Sequence, residues 1–303
     1  MPTAKLPPPQ KALPPPLAPA MSASKAFQAI FAACLAQLEA NHSGVMRGED
    51  IEYVHQMRVA IRRLRSALRL FTAVVPAEAV RPFDDELRWL GGQLGQARDW
   101  DVFVEETLPP RLAEFPAHAG LAELARRAGA TRLEKREAAR SALRSIRCRR
   151  LLADLRAWIA REAWREEGGA RLDKAAVTLA AKLLSRRHRA LRKRGRRLPL
   201  LPPPRRHRAR IAAKKLRYAV EFFLPLFPGE PGKGYAKRLS DLQDLLGALN
   251  DAAVTRRLLD ELGPDTPAAI LVGEVVDIAA ADSLARLDEA WGQFRRYRPF
   301  WEE

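Results

Sequence analysis

The sequence is short of cysteine and of long apolar runs, and each shortage excludes a class of protein. Its 303 residues include two cysteines, Cys34 and Cys148, and no CxxC pair. This indicates reduced thiols in a cytoplasmic protein, not a disulfide framework. No run of 18 apolar residues occurs, so we expect no transmembrane helix and no membrane partner. The N-terminus lacks a basic segment followed by a long apolar core, so we expect no signal peptide.

Motifs for metal binding or catalysis are also missing. There is no HExxH motif and no cysteine cluster, so we expect no metal and no cofactor. A phosphohydrolase would need a cluster of metal-binding carboxylates. Asp99 and Asp101 come nearest to one, and nothing in the sequence completes the set. We therefore expect a protein without catalytic residues.

What the sequence has in excess is positive charge. Lysine and arginine number 53 against 36 aspartates and glutamates, which gives a formal net charge of +17. Hydrophobic residues make up 47% of the chain, which is typical of a folded protein. A folded chain with this charge favours a polyanionic partner such as nucleic acid, an acidic surface or a phosphate polymer.

Proline and apolar spacing divide the chain into a proline-rich start and a helical remainder. Residues 1–22 are expected to be a linker or tail, extended by its prolines. After it, strand-like alternation is absent and the spacing is helical almost throughout. The predicted helices lie near 23–41, 50–74, 82–107, 119–144, 148–168, 171–194, 204–226, 232–262 and 265–297. Pro82 fits the first turn of its predicted helix.

One predicted helix carries a row of cations along one edge. In "VHQMRVAIRRLRSALRLF" (54–71) the first ladder, as we call it, comprises His55, Arg58, Arg62, Arg65 and Arg69. At 3.6 residues per turn these five side chains fall within roughly 80° of arc. Like charges at this spacing repel, and the ladder itself contains no carboxylate to relieve them. We therefore expect negative charge to come from outside the helix.

The same pattern recurs 152 residues later. In "HRARIAAKKLRYAVEFF" (207–223) the second ladder comprises His207, Arg210, Lys214 and Arg217, and Glu221 replaces the last arginine. The offset also aligns "LGGQLGQARDWDV" (90–102) with "LQDLLGALNDAAV" (242–254). Two motifs at one offset indicate an internal duplication, with halves at 23–168 and 169–303. Two like halves usually pack about a twofold axis.

Several candidate binding residues flank the ladders. Arg206 precedes the second ladder, and Arg186 and Arg189 lie in the basic run "RRHRALRKRGRR" (186–197). This run is either solvated or an extension of the binding surface. Arg63 and Lys215 fall off the ladders on the helical wheel, so they either widen the surface or face solvent.

The histidines and the repeated aspartates have alternative interpretations. His55 and His207 are either structural, or phosphate donors in protonated form, or metal ligands. Two histidines on different helices are too few for a metal site, so ligation is the weakest of these. Asp99 and Asp251 each follow a glycine by four residues, and pairing with an arginine explains them best.

The paired ladders and the "LGQARDWDV" and "LGALND" segments that follow resemble the CHAD domain, the conserved histidine α-helical domain. The resemblance covers nearly everything after residue 20. It implies an all-α fold of two pseudo-symmetric four-helix bundles, with inorganic polyphosphate bound in a basic groove between them. It also implies association with polyphosphate granules. CHAD domains often follow a CYTH domain, a triphosphate tunnel module with an ExExK motif. No ExExK occurs here. The proline-rich start resembles the linker between two such modules, so the resemblance implies a CYTH-type partner before the linker.

The sequence therefore predicts a non-catalytic polyphosphate-binding module. Its predicted ligand residues are His55, Arg58, Arg62, Arg63, Arg65, Arg69, Arg186, Arg189, Arg206, His207, Arg210, Lys214, Lys215 and Arg217. The alternative is a nucleic-acid-binding basic helical protein. Aromatic residues that could stack on bases are scarce in the basic run, so nucleic acid is expected only as a weaker electrostatic competitor.

Overall fold

The structure, a computed structural model, describes residues 6–168, 171–264 and 266–302. Within these ranges the regular structure is helical, apart from an isolated bridge between Ser22 and Ala175, which confirms the all-α prediction. No helix in the described ranges is long and apolar enough to cross a membrane. The helices are α1 (Ala23–Arg47), α2 (Ile51–Phe71), α3 (Ala77–Val102), α4 (Pro109–Glu114), α5 (Ala119–Arg144), α6 (Ile146–Ala160), α7 (Arg165–Gly168), α8 (Ala176–Arg194), α9 (Pro203–Phe223), α10 (Glu230–Leu262) and α11 (Pro267–Arg296). A π-helical turn, Phe103–Thr107, continues α3, and 3₁₀ turns cover Leu198–Leu200 and Leu224–Leu226.

Capping residues explain several helix starts. The side chain of Asp50 accepts a hydrogen bond from the backbone N of Glu52 at 2.8 Å and so begins α2. Ser145 and Thr266 cap α6 and α11 in the same way. The predicted helix over 119–144 is confirmed at both ends.

Two predictions about helix boundaries are wrong. The predicted helix over 148–168 is interrupted, because α6 ends at Ala160 and Glu162 has a left-handed φ of 47°. Pro82 lies inside α3, which begins five residues earlier at Ala77. The missing N–H of Pro82 costs only a bond to a carbonyl in the exposed first turn. The predicted helix start at residue 265 and the start of the predicted second half at residue 169 lie outside the described residues.

The chain forms two compact units, and each draws on both predicted sequence halves. Unit 1 comprises the described residues of Met1–Arg98, Lys135–Leu183 and Glu221–Phe227. Unit 2 comprises those of Asp99–Glu134, Leu184–Val220 and Pro228–Glu303. The duplication with halves at 23–168 and 169–303, and the pair of four-helix bundles, stay predictions.

Unit 1 is built on an aromatic core between α1, α2 and the α6–α7 segment. The rings of Phe27 and Phe71 lie 4.3 Å apart, and those of Trp158 and Trp164 lie 4.6 Å apart, between centroids. Trp164 donates through Nε1 to the hydroxyl of Ser24 at 2.8 Å, and Ser24 donates to Glu162 at 2.6 Å. This network fixes the position of Glu162, the residue with left-handed φ that follows the end of α6.

The proline-rich segment packs against unit 1. The backbone N of Gln10 donates to Oδ1 of Asn41 at 3.0 Å, and Nδ2 of Asn41 donates back to the carbonyl of Gln10 at 3.0 Å. The hydroxyl of Tyr53 donates to the carbonyl of Pro7 at 2.6 Å. Leu17 is buried. The described part of the predicted tail is therefore a docked strap on α1 and α2, which its composition alone did not indicate.

Unit 2 has an apolar core and a separate aromatic cluster. The core joins Trp100 and Phe103 to Leu258 and Val272 of α10 and α11. In the aromatic cluster, Nδ1 of buried His188 lies 2.7 Å from the hydroxyl of Tyr235. Burial and the neighbouring cations Arg192 and Arg189 lower the pKa of His188 to about 4. His188 is therefore a neutral structural residue.

Candidate functional site

The two helices that carry the ladders correspond residue for residue. Helix α2 spans Ile51–Phe71 and α9 spans Pro203–Phe223, so both ends are displaced by the same 152 residues that relate the sequence motifs. His55 and His207 therefore occupy the same helical position, one turn from the start. Arg58 and Arg210 follow one turn later in each helix.

The head of the first ladder is a cluster of cations around His55. Arg98 of α3 joins Arg58 and Arg62 there, and burial followed by these arginines lowers the pKa of His55, against the opposing carboxylate of Glu52. The sequence prediction did not include Arg98. The signal was present, because Arg98 directly precedes Asp99 in the repeated segment after the ladder.

A glycine makes room for one of these cations. The guanidinium atom Nη1 of Arg58 lies 2.6 Å from where a Cβ would stand on Gly95. Gly95 is the buried glycine of the "LGQARD" segment, and its equivalent in the second repeat is Gly247. Beyond the backbone of its own helix and its chain neighbours, no atom of the described residues lies within 4 Å of where a Cβ would stand on Gly247. Of the two repeated glycines, Gly95 therefore leaves room for an arginine guanidinium, and Gly247 has no such neighbour among the described residues.

The middle of the first ladder holds an arginine with an unsatisfied N–H among the described residues. Arg62 is half-buried, and its buried Nε atom has no hydrogen-bond partner among the described residues. An unsatisfied buried N–H of a cation is costly, and an anion that reached it would remove that cost. Arg62 is thus suited to donate a hydrogen bond to an oxygen atom of a ligand.

The end of the first ladder is neutralised by the protein itself. Asp84 of α3 accepts from Nε of Arg65 at 2.9 Å and from Nη2 of Arg69 at 3.0 Å. Burial raises the pKa of Asp84, but these hydrogen bonds and charges outweigh it and hold the pKa below its usual range. The sequence predicted that negative charge would come from outside α2, and at this end Asp84 of α3 supplies it. A ligand must compete with Asp84 for both arginines.

Arg63 is placed in the interior of unit 1. Its side chain is 5% exposed, and Nη1 donates to Oε2 of Glu221 at 2.9 Å. Nη2 donates to the carbonyl of Leu13 at 3.3 Å, and the guanidinium lies 5.1 Å from the ring centroid of Phe222. The sequence predicted that Arg63 either widens the binding surface or faces solvent, and both predictions are wrong. Its ion pair with Glu221 and its contact with the strap shield it from solvent. Glu221, the residue that breaks the second ladder, is the partner of Arg63.

The second ladder is more exposed at its head. His207 is exposed and Arg206 and Arg210 are half-buried, and all three line one cavity in unit 2 with Asn250. Asn250 is the repeat equivalent of Arg98, so an amide stands here where unit 1 has a cation. Further along α9, Lys214, Lys215 and Arg217 are half-buried, and the guanidinium of Arg217 lies 5.5 Å from the ring centroid of Tyr218.

The basic run over 186–197 has two faces. Arg186 and Arg189 are exposed on α8, whereas His188 between them points into the aromatic cluster of unit 2. The run ends at Arg197, whose left-handed φ of 55° turns the chain into the 3₁₀ turn. Whether the exposed arginines extend a binding surface stays a prediction.

The repeated aspartates differ between the repeats. Oδ2 of Asp99 accepts from Nη2 of Arg257 at 2.9 Å, as expected for pairing with an arginine. Asp251 is exposed and lies 3.5 Å from the amide of Asn250. Asp101 is fully buried and accepts from Nε of Arg132 at 2.8 Å. In the described ranges, no three histidine, cysteine or carboxylate side chains are grouped as a metal site would require.

Comparisons with known proteins agree on the fold. The family model of the CHAD domain matches residues 29–260. The crystal structure of the CHAD domain from the plant Ricinus communis is 37% identical over 96% of this chain and 97% of its own, with a TM-score of 0.78. PptA from Streptomyces chartreusis is 18% identical over 93% of this chain and all of its own, with a TM-score of 0.66. This second likeness concerns the fold alone.

Among functionally curated proteins, no sequence matches this chain significantly. The family model nevertheless spans well over half of the 303 residues, and the plant domain is similar along nearly the whole chain. The chain therefore belongs to the CHAD domain family.

Proposed function

We propose that this protein is a non-catalytic binding module for inorganic polyphosphate and that the ladders of α2 and α9 carry the ligand residues. The observation that carries the proposal is the cluster around His55. There Arg58, Arg62 and Arg98 are grouped around the half-buried His55, and burial followed by their charges lowers the pKa of the histidine against the opposing carboxylate of Glu52. Such a concentration of like charge destabilises the unliganded protein and is relieved when an anion arrives.

The chemistry of the cluster suits phosphate. Guanidinium groups present several N–H donors in a plane and bind phosphate oxygens through two parallel hydrogen bonds. A polyphosphate chain carries about one negative charge per phosphate, so it can contact successive turns of a helix whose cations repeat about every 5.4 Å. Lys214 and Lys215 add point charges further along α9.

The availability of the cations divides the predicted residues into groups. Arg62 has an unsatisfied N–H among the described residues, whereas Arg65 and Arg69 are shared with Asp84. Arg63 is excluded from the proposed set by burial, and Arg98 is added to it. The proposed contacts of unit 1 are therefore led by His55, Arg58, Arg62 and Arg98.

The setting proposed for this module is the cytoplasm, in contact with polyphosphate granules. A CYTH-type module preceding the docked strap is the proposed protein partner. Nucleic acid is the alternative ligand, and it would use the same charges without the same geometry.

The proposal is tested by removing two cations at the head of the first ladder. The double variant R58A/R62A should bind long-chain polyphosphate about tenfold or more weakly in a fluorescence titration, because two charged hydrogen-bonding groups are lost. The matched control is R126A/R127A, which removes the same charge from exposed positions of α5. Equal losses in both variants would mean diffuse attraction to net charge and would contradict the proposal.

A further inference from the structure

A cavity in unit 2 opens at the head of the second ladder. It has a volume of about 320 Å³ and lies between the first turns of α9 and the middle of α10 and α11. Its apolar lining, which we call the floor, is formed by Leu246, Leu249 and Leu284 with several alanines. Its cationic lining, which we call the rim, is formed by Arg206, His207 and Arg210. The cavity is thus amphipathic, unlike a surface that binds only phosphate.

The cavity belongs to the second repeat because of two small residues. Ala252 and Ala253, which line it, occupy the repeat positions of Trp100 and Asp101. Trp100 fills space in the core of unit 2, where it is 1% exposed. An alanine at the equivalent position lacks the indole ring, so it leaves about that volume unfilled. The second repeat therefore carries the histidine and arginine of the ladder beside two alanines, where the first repeat carries a tryptophan and an aspartate.

The rim is positively charged and carries hydrogen-bond donors that could reach a ligand. The side chains of Arg206 and His207 make no hydrogen bond or ion pair with any residue of the described part of the chain. Arg256, on the opposite wall, is paired with Asp277. The cavity also meets Pro203, the first residue of α9, where the helix dipole adds positive potential. Several phosphates can be accommodated at this rim.

The wall between the rim and the floor carries a polar amide. Asn250 lines the cavity and offers one acceptor and two donors at its side chain. An acyl chain would gain nothing from this amide, whereas the edge of a nucleobase has complementary donors and acceptors. The cavity volume lies at the lower end of the range for small-molecule sites. These features together favour a compact heterocycle attached to a chain of phosphates.

We propose that this cavity binds a nucleoside polyphosphate, with the base on the leucine floor, its edge at Asn250 and its phosphates at Arg206, His207 and Arg210. The inference rests on the proposed function, because the cavity shares His207 and Arg210 with the second ladder. It goes further in that the apolar floor discriminates a phosphate chain that ends in a nucleoside from an inorganic one.

The test compares ATP with inorganic triphosphate, which has the same number of phosphates and no base. By isothermal titration calorimetry at about 150 mM salt, the protein should bind ATP about tenfold more tightly, since only ATP buries apolar surface on the floor. The variant A253F fills the cavity from an exposed position and should abolish this preference, so that ATP and inorganic triphosphate bind with equal affinity. The control A279F places the same ring on an exposed face of α11 that does not line the cavity.

Equal affinities of the wild-type protein for ATP and inorganic triphosphate would overturn the inference. A preference for ATP that survives A253F would overturn it as well, because the base would then bind elsewhere. A parallel titration with long-chain polyphosphate separates the two proposals. If the long chain binds and ATP shows no preference, only the cavity proposal fails. If ATP binds preferentially and the long chain does not bind, only the proposed function fails.

Discussion

The guanidinium of Arg58 lies directly over Gly95, with Nη1 2.6 Å from where a Cβ would stand. The contact joins the first ladder of α2 to the repeated "LGQARD" segment of α3. Such a close approach is possible only because glycine has no side chain there. The glycine of the repeat is thus tied to the position of a proposed ligand residue and not only to helix packing.

The variant G95A should therefore displace the Arg58 guanidinium without unfolding the protein. The clashing atom is the far end of a flexible side chain, and alanine is favoured over glycine inside a helix by up to about 1 kcal/mol. We expect the affinity for polyphosphate to fall about threefold to tenfold, because one charged hydrogen bond is misplaced. A fluorescence titration and a urea unfolding curve measure the two effects. The matched control is G247A, whose added methyl meets no atom of another described part of the chain within 4 Å. An affinity that is equally low in both variants would contradict this role of Gly95.

Asp84 should act as an internal competitor of the ligand. The variant D84A releases Arg65 and Arg69 from their carboxylate partner, so polyphosphate affinity should rise about threefold or more. Stability should fall by about 1–2 kcal/mol, because the largely buried Asp84 loses its ion pairs with Arg65 and Arg69 and a longer one with Arg88. The control is D85A, which changes the net charge equally but removes a partner of Arg88 outside the ladder. An equal gain in both variants would show that only the net charge matters.

Arg63 should matter for stability and not for binding. The variant R63A removes the buried partner of Glu221 and leaves a cavity beside Phe222. Since Glu221 is about one-third exposed, we expect a loss of about 2–3 kcal/mol, less than for a fully buried pair. Urea unfolding measures this loss, and a titration of the folded variant should give the wild-type affinity. A weakened affinity with unchanged stability would return Arg63 to the ligand set.

Affinity for polyphosphate should increase as the pH falls. Burial and the arginines lower the pKa of His55 below its ordinary value of about 6.5, so the unliganded histidine is neutral at pH 7. A polyanion favours the protonated form and raises this pKa, so binding takes up a proton. The affinity should therefore grow by up to about tenfold between about pH 7.5 and pH 5.5. The variant H55N should flatten this rise, and an unchanged slope would exclude His55 as its source.

Without ligand, His55 affects the stability of the fold, and here a fall in pH is unfavourable. A histidine whose folded-state pKa is lowered is protonated more readily in the unfolded chain. Its contribution to stability is therefore present above pH 6.5 or so and is lost as the pH falls through the ordinary value toward the lowered one. Thermal unfolding with and without polyphosphate at several pH values separates this effect from the ligand linkage.

Much of the fold was predictable because the helical spacing and the 152-residue repeat are local signals. Helices α2 and α9 begin and end at residues that are 152 positions apart, as the repeat of the ladders predicts. The break at Glu162 was not predictable, because a network with Ser24, 138 residues earlier, holds it in place. Docking of the strap depends on single contacts such as Tyr53 with Pro7, which composition does not reveal.

The site was predictable along each helix but not across helices. Spacing on α2 placed His55, Arg58 and Arg62 on one edge, and the structure groups them. The wheel could not show that Arg98 joins this group from α3. Nor could it show that Asp84 neutralises the end of the ladder, because both contacts depend on how α3 packs against α2. Arg63 was misplaced for the same reason, since its partner Glu221 lies 158 residues away.

The central claim is that this protein selects a phosphate polymer and does not bind polyanions indiscriminately. The most direct measurement is a competitive titration of long-chain polyphosphate against duplex DNA and heparin at about 150 mM salt, where diffuse surface attraction is largely screened. We predict that polyphosphate displaces both competitors at concentrations about tenfold lower in charge equivalents. Equal displacement by all three polymers would contradict the claim and would leave the net charge of +17 as the sole basis of binding.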